Sequence, residues 1–168
     1  MSRADRADGA ATPFAGPVPG RARRRSPALA PLSREHHQAL RQAMELKRAG
    51  PEEARSTWRR FLEFWEHEGH AHFVEEETEL LPAYARVADP DHPAVVRMLL
   101  EHVLIRARIA TIREQPEPLV ADLNELGIWL ELHVRHEERV TFPLIEDATG
   151  AGLSQRVRRD SNSRPSVP

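Results

Sequence analysis

The sequence predicts an all-α protein, an antiparallel up-down-up-down four-helix bundle with an internal duplication of one helical hairpin. Three observations predict it. Between residues 31 and 149 the apolar residues recur at intervals of three and four, as on one helix face, with no sustained interval of two to suggest a strand. Breakers (Gly50-Pro51, the run Asp89-Pro90-Asp91-His92-Pro93, and Pro116 with Pro118) cut this stretch into four lengths of 17 to 31 residues. The second and fourth lengths also share a pattern at a constant offset of 61: His72 matches His133, Glu76 matches Glu137, Glu77 matches Glu138 and Pro82 matches Pro143.

The first predicted helix runs from Ser33, a suitable N-cap, to Ala49, with Leu32, His36, Leu40, Ala43 and Lys47 on one face. The second runs from Pro51 to Leu81 with Trp58, Phe61, Leu62, Trp65 and Phe73 inward, and Gly69 offers a bend. The third spans Pro93 to Arg113 with Val95, Leu99, His102, Ile105, Ile109 and Ile112 on its apolar face. The fourth spans Pro118 to Asp147 with Leu123, Leu126, Leu130, His133 and Val140 inward, and Tyr84, the single tyrosine, covers a bundle end. Helices one and three echo each other as well, Arg34-Glu35-His36 against Leu100-Glu101-His102. Two copies of one hairpin about a pseudo-twofold axis bring the same groups to a common centre.

The flanks differ from this core. Residues 1–34 hold five prolines and a net charge of +5, residues 154–168 carry +3, and residues 35–153 carry −10. Residues 1–30 therefore read as a disordered basic tail, and residues 150–168 as a short helix that frays into a second tail. The Arg21-Ala-Arg23-Arg24-Arg25 run offers a docking strip for an acidic protein partner. Nucleic acid is not expected, because a chain whose only lysine is Lys47 carries arginine runs as solvated tail. No basic-then-apolar leader and no window of ~18 apolar residues is present, so the expectation is a cytoplasmic protein with no membrane association. The absence of cysteine excludes disulfides, thiolate metal sites, iron–sulfur clusters and cysteine nucleophiles together.

The chemistry lies in the histidines, nine in all, seven of them in three short stretches. His and Glu four residues apart share a helix face, and inside a bundle such groups are costly unless something neutralises them. A metal ion does so, and a mixed imidazole–carboxylate set suits iron, manganese, zinc or copper rather than magnesium or calcium. One group or pair per helix gives six candidate ligands: His36, His72, Glu76, His102, His133 and Glu137. The register of Leu32 and Leu40 favours His36 over His37. Glu35, Glu77 and Glu101 are positioned to orient the imidazoles, while His92 falls in a loop and His136 near the surface.

The ordered set His, His-x-x-x-Glu, His, His-x-x-x-Glu, with Leu80-Leu81-Pro82 and Thr141-Phe142-Pro143 behind the two pairs, resembles the hemerythrin-like (HHE cation-binding) family over roughly residues 30–147, in a bacterial subtype. The resemblance implies a non-haem di-iron centre with an oxo or hydroxo bridge, carboxylate bridges from Glu76 and Glu137, and a ligand such as O2, NO or peroxide. Zinc or manganese also suits the residues. The oxygen-carrying members have a second His four residues after the one on the third helix, where this chain has Arg106. That departure implies an open coordination position, unequal metals or a substitute ligand such as Glu75 or His37, and turns the expectation from oxygen carriage toward sensing, redox chemistry or iron handling. Alternatives are a di-iron enzyme of peroxidase or catalase type, and a scaffold or regulatory bundle with no functional metal.

Overall fold

In the computed structural model, residues 26–27 and 29–150 are described, and they form the four-helix bundle. The tails expected over residues 1–30 and 150–168 lie, apart from residues 26–27, 29–30 and 150, outside the described residues. The first rod is α1 (Ala30–Arg48). The second is assembled from α2 (Ala54–Phe64), α3 (His70–Glu75) and α4 (Leu81–Ala85), joined without a break by π-helical turns at Trp65–Gly69 and Glu76–Leu80. The third is α5 (Pro93–Arg113). The fourth is α6 (Val120–His136), which passes through a π turn at Glu137–Thr141 and continues helically over 142–150. No described helix is long and apolar enough to cross a membrane.

One difference at a helix start has a simple cause. α1 begins at Ala30 rather than Ser33, because Pro31 lies in the first turn, where a missing N–H costs nothing. Ser33 thus becomes interior, and its hydroxyl donates to Glu138 Oε1 at 2.6 Å instead of capping. α5 begins where expected, and His92 caps it by accepting the Ala94 N–H at 3.2 Å.

The π turns explain how two proline-bearing helices stay continuous. Pro82 and Pro143 lack an N–H, and their rings would press on the carbonyl four residues back in an α-helix. In the preceding turn the Leu81 N–H reaches back five residues to the Glu76 carbonyl, and the Phe142 N–H does the same to Glu137. The widened turn admits the extra residue. The two π turns lie 61 residues apart, so the repeat in sequence is also a repeat in backbone.

A large cluster fills one half of the bundle, with Trp58, Phe61, Phe64, Trp65 and Phe73 against Leu46, Ile105, Ile112, Leu123 and Leu126. Smaller clusters fill the other half: Leu81, Tyr84, Val95, Met98 and Ile145, and beside them Leu29, Leu32 and Phe142. Along every rod the six candidate ligands fall between these clusters. α1 and the fourth rod pack closely at Gly127, where a Cβ would stand 2.6 Å from the Ala43 carbonyl oxygen and 2.9 Å from the Lys47 backbone nitrogen. Lys47, expected inward, is exposed: its stem crosses Gly127 and its ammonium pairs with Glu131.

Leu99 and Val140 were also expected inward and are exposed. The π turn shifts the fourth rod by one residue, turning Thr141, Phe142 and Ile145 in and Val140 out. Leu40 and Leu62 are half-buried at the edge of the core. His136 is buried rather than superficial, with Nε2 beside the Ala94 carbonyl at 3.2 Å.

Candidate metal centre

His36, His72, His102, His133, Glu76 and Glu137 are all buried and converge at the centre of the bundle, Glu76 and Glu137 with no solvent exposure at all. Their atoms form two overlapping groups. His36 and His72 gather with Glu76 and Glu137 in one, and His102 and His133 gather with the same two carboxylates in the other. Each carboxylate divides its oxygens between the groups. Glu76 places Oε1 3.3 Å from His72 Nε2 and Oε2 3.3 Å from His102 Nε2. Glu137 places Oε2 3.0 Å from His36 Nε2 and Oε1 3.1 Å from His133 Nε2.

Both oxygens of both carboxylates, together with His102 Nε2 and His133 Nε2, are buried without a hydrogen-bond partner. The nitrogens and oxygens are close without facing one another, the geometry of donors aimed at a common point. His36 Nε2 and His72 Nε2, both ordinarily lone-pair donors to a metal, stand only 3.0 Å apart. An orphaned buried charge costs several kcal/mol unless compensated, and two imidazoles with two carboxylate oxygens per group are a donor set suited to a divalent or trivalent metal. The residues fit such an ion.

The outer nitrogens show why the rings face inward. His36 Nδ1–H donates to Glu138 at 2.7 Å, His72 to Glu35 at 2.7 Å, His102 to Glu77 at 2.7 Å and His133 to Glu101 at 3.1 Å. A proton held at Nδ1 leaves the Nε2 lone pair free. The carboxylates come from different rods in rotation: α1 holds the histidine of the second rod, which holds that of α5, which holds that of the fourth rod, which holds that of α1. Glu35, Glu77 and Glu101, named in the sequence reading, are three of these four carboxylates. Glu138 was missed, although its offset of 61 from Glu77 was the available signal.

Arg106 does not occupy a ligand position. It forms a two-pronged pair with Glu77 at 2.7 and 3.1 Å and lies over the Phe73 ring. The half-buried Glu77 carboxylate draws the guanidinium outward. His37 and Glu75, considered as substitute ligands, are both exposed and belong to neither group. Phe73 stacks on His102 at 3.8 Å between ring centres, and Phe142 stacks on His36 at 5.1 Å, which fixes two rings from the side.

Electrostatics follow from this crowding. Burial works to lower the His133 pKa, but the charge of the adjacent Glu137 carboxylate and the bond to Glu101 push it up to about 10. Burial opposes charge on His72 too, yet Glu76 and Glu35 raise it to about 9. His36 and His102 are raised by the same balance, with Glu137 the main opposing partner. Burial pushes Glu137 upward, but His133, His102 and His36 hold it well below the usual carboxylate range.

A cavity of about 20 Å³, space for one water-sized molecule, reaches the centre beside His36, His72 and His133. Its inner walls are Ala39, Phe64, Trp65, Phe73, Leu130 and Val134, and Glu35 and Glu68 also border it. Gly69 closes the first π turn against it, where a Cβ would meet Trp65 at 2.9 Å and Phe64 at 3.1 Å.

Comparison with known proteins gives one family. A model described as the hemerythrin HHE cation binding domain matches residues 29–159. No curated protein and no solved structure matches the chain.

Proposed function

The chain belongs to the hemerythrin HHE cation-binding family, and from that premise we propose that it binds two iron ions at the bundle centre and uses them to bind or sense a molecule the size of O2, NO or peroxide. The observation that carries this reading is the division of each carboxylate between two histidine pairs, which provides four donors for each of two neighbouring ions. His36 and His72 would hold one, His102 and His133 the other, with Glu76 and Glu137 shared. The irons, when bound, supply reversible redox chemistry and open positions for a small ligand.

The protein's own part is orientation and exclusion. Glu35, Glu77, Glu101 and Glu138 keep the protons on Nδ1 and the rings inward. The apolar cavity beside His36 and His72 admits one small molecule and leaves no room for an organic substrate. This size restriction supports a diatomic or peroxide ligand. A cytoplasmic location accords with the lack of cysteine and the lack of a described spanning helix.

Metal analysis of the full chain after expression in iron-replete cells tests the reading. About two irons per chain are expected, falling in His72→Ala and in His133→Ala. Protein that binds no metal, with a melting temperature unchanged by added iron, overturns it. Unchanged stoichiometry in both variants overturns the ligand set.

A further inference from the structure

α5 carries two apolar faces, divided by Arg97, Glu101 and Arg108 on one side and by Arg106 and Arg113 on the other. Its inner side is the buried stripe Val95, Met98, His102, Ile105, Ile109 and Ile112. Its outer side repeats the trick at spacings of four and three, through Val96, Leu100, Val103, Ala107 and Ala110, with Leu99 and Leu104 on the flanks. An apolar stripe of this period is a helix-packing seam, yet nothing described covers it: Val96, Leu99, Leu100, Val103 and Leu104 are 38–60% exposed. The adjacent rod adds Ile128 and Leu132 at 46% and 53%. Between the two rods runs a groove of about 170 Å³ lined by Leu104, Ile105, Trp129 and Leu132, with Arg97 and Glu101 at its edge.

We propose that this face is the interface of a homodimer, in which α5 of each copy packs into the groove between α5 and α6 of its mate. Area favours a protein partner: the exposed side chains together present on the order of 600 Å², at the top of what monomers leave bare and most of the ~800 Å² that each side of a stable interface buries. The charges of both helices are paired within the single chain, Arg97 with Glu101 at 2.7 Å, Arg106 with Glu77 at 2.7 Å and Arg108 with Asp122 at 3.1 Å. Among the described residues the face therefore offers apolar side chains rather than free charge, and an isologous contact covers the same stripe on both copies at once. The chain's own residues 151–168 hold four Arg and few apolar groups, a poor filling for an apolar groove.

The dimer does not depend on the metal reading, although it would shield the Glu101 side of the centre. Sedimentation velocity on the full-length protein at about 100 µM, well above a micromolar Kd, reads the result. A species of twice the 19.1 kDa chain mass is expected. Leu100→Glu with Val103→Glu should return it to the monomer with helical content retained, since both side chains face solvent in the single chain. Met44→Glu and Val87→Glu, also exposed but on other faces, should leave the dimer intact. The chain has no cysteine, so mixed Leu100→Cys and Leu132→Cys proteins should form an intermolecular disulfide on oxidation. A wild-type monomer, or a dimer that survives the double substitution, overturns the proposal. Cross-linking confined to like with like overturns the helix pairing.

Discussion

Replacing Glu77 by Gln separates two things that its carboxylate does. One oxygen accepts the His102 Nδ1–H at 2.7 Å, and both oxygens accept from Arg106 at 2.7 and 3.1 Å. Gln preserves the shape and removes the charge, so the imidazole loses basicity and its fixed orientation toward the centre. Carboxylates that hold a metal-binding histidine typically contribute 10–100-fold in affinity, or about 1.4–2.7 kcal/mol. The Arg106 pair is a different matter. Both partners are more than a quarter exposed, and solvent screening limits such a pair to about 1 kcal/mol. Arg106→Leu should therefore weaken metal binding by no more than about fivefold, because the bond from His102 survives. The assay is competition between the protein and a chromophoric chelator for zinc or cobalt at neutral pH, repeated anaerobically with ferrous iron. Glu77→Gln binding as tightly as the parent, or Arg106→Leu losing as much as Glu77→Gln, would refute the reasoning.

Three further outcomes are expected. Gly127→Ala forces a methyl against the Ala43 carbonyl and the Lys47 backbone, an overpacking cost of about 1–3 kcal/mol that thermal melting will show with no change in metal stoichiometry. Saturating metal at about 100 times its Kd should stabilise the fold by about 2.7 kcal/mol, and a chelator should reverse the shift. The metal-free protein should lose stability as pH rises. His72 and His133 are raised from 6.5 to about 9 and about 10, so their contribution is complete below pH 6.5 and disappears as pH climbs through those values. Glu137 acts at the acid end: held well below its ordinary value, it stabilises above that value and ceases to as pH falls through its lowered one. Metal needs deprotonated Nε2 atoms and gains over the same alkaline range. The gap between loaded and metal-free melting temperatures should widen from pH 6 to pH 9, and calorimetry showing a constant gap would contradict this.

How far the sequence revealed the molecule depends on how regular each helix is. α1 and α5 obey the 3.6-residue period in their inner stripes, so His36 and His102 could be placed from neighbouring apolar residues alone. The fourth rod obeys it only as far as Glu137. Beyond that the π turn inserts a residue, and ordinary wheel arithmetic puts Val140 where Thr141 and Phe142 stand. The signal was present in Pro143, whose ring an unbroken α-helix would not take. Leu99 was illegible for another reason: on a helix with two apolar faces, periodicity cannot say which of them a flanking residue joins. The carboxylates behind the imidazoles depended on the repeat, and Glu138 was within reach of that logic because Glu77 had already been recognised. Arg106 marked a departure from the family pattern, but sequence could not show that Glu77 draws it away from the centre.

The four bonds from imidazole to carboxylate close into a hoop, each helix gripping the next and the last gripping the first. A hoop has no loose end from which to fray. Two of its links, His72 to Glu35 and His133 to Glu101, lie within a hairpin, and the other two tie the hairpins together, so neither half can complete it alone. Opening the middle of the bundle must then be a concerted event. Amide protons in the central turns of all four rods should exchange at one common, slow rate that metal slows further, while those at the bundle ends exchange earlier and independently.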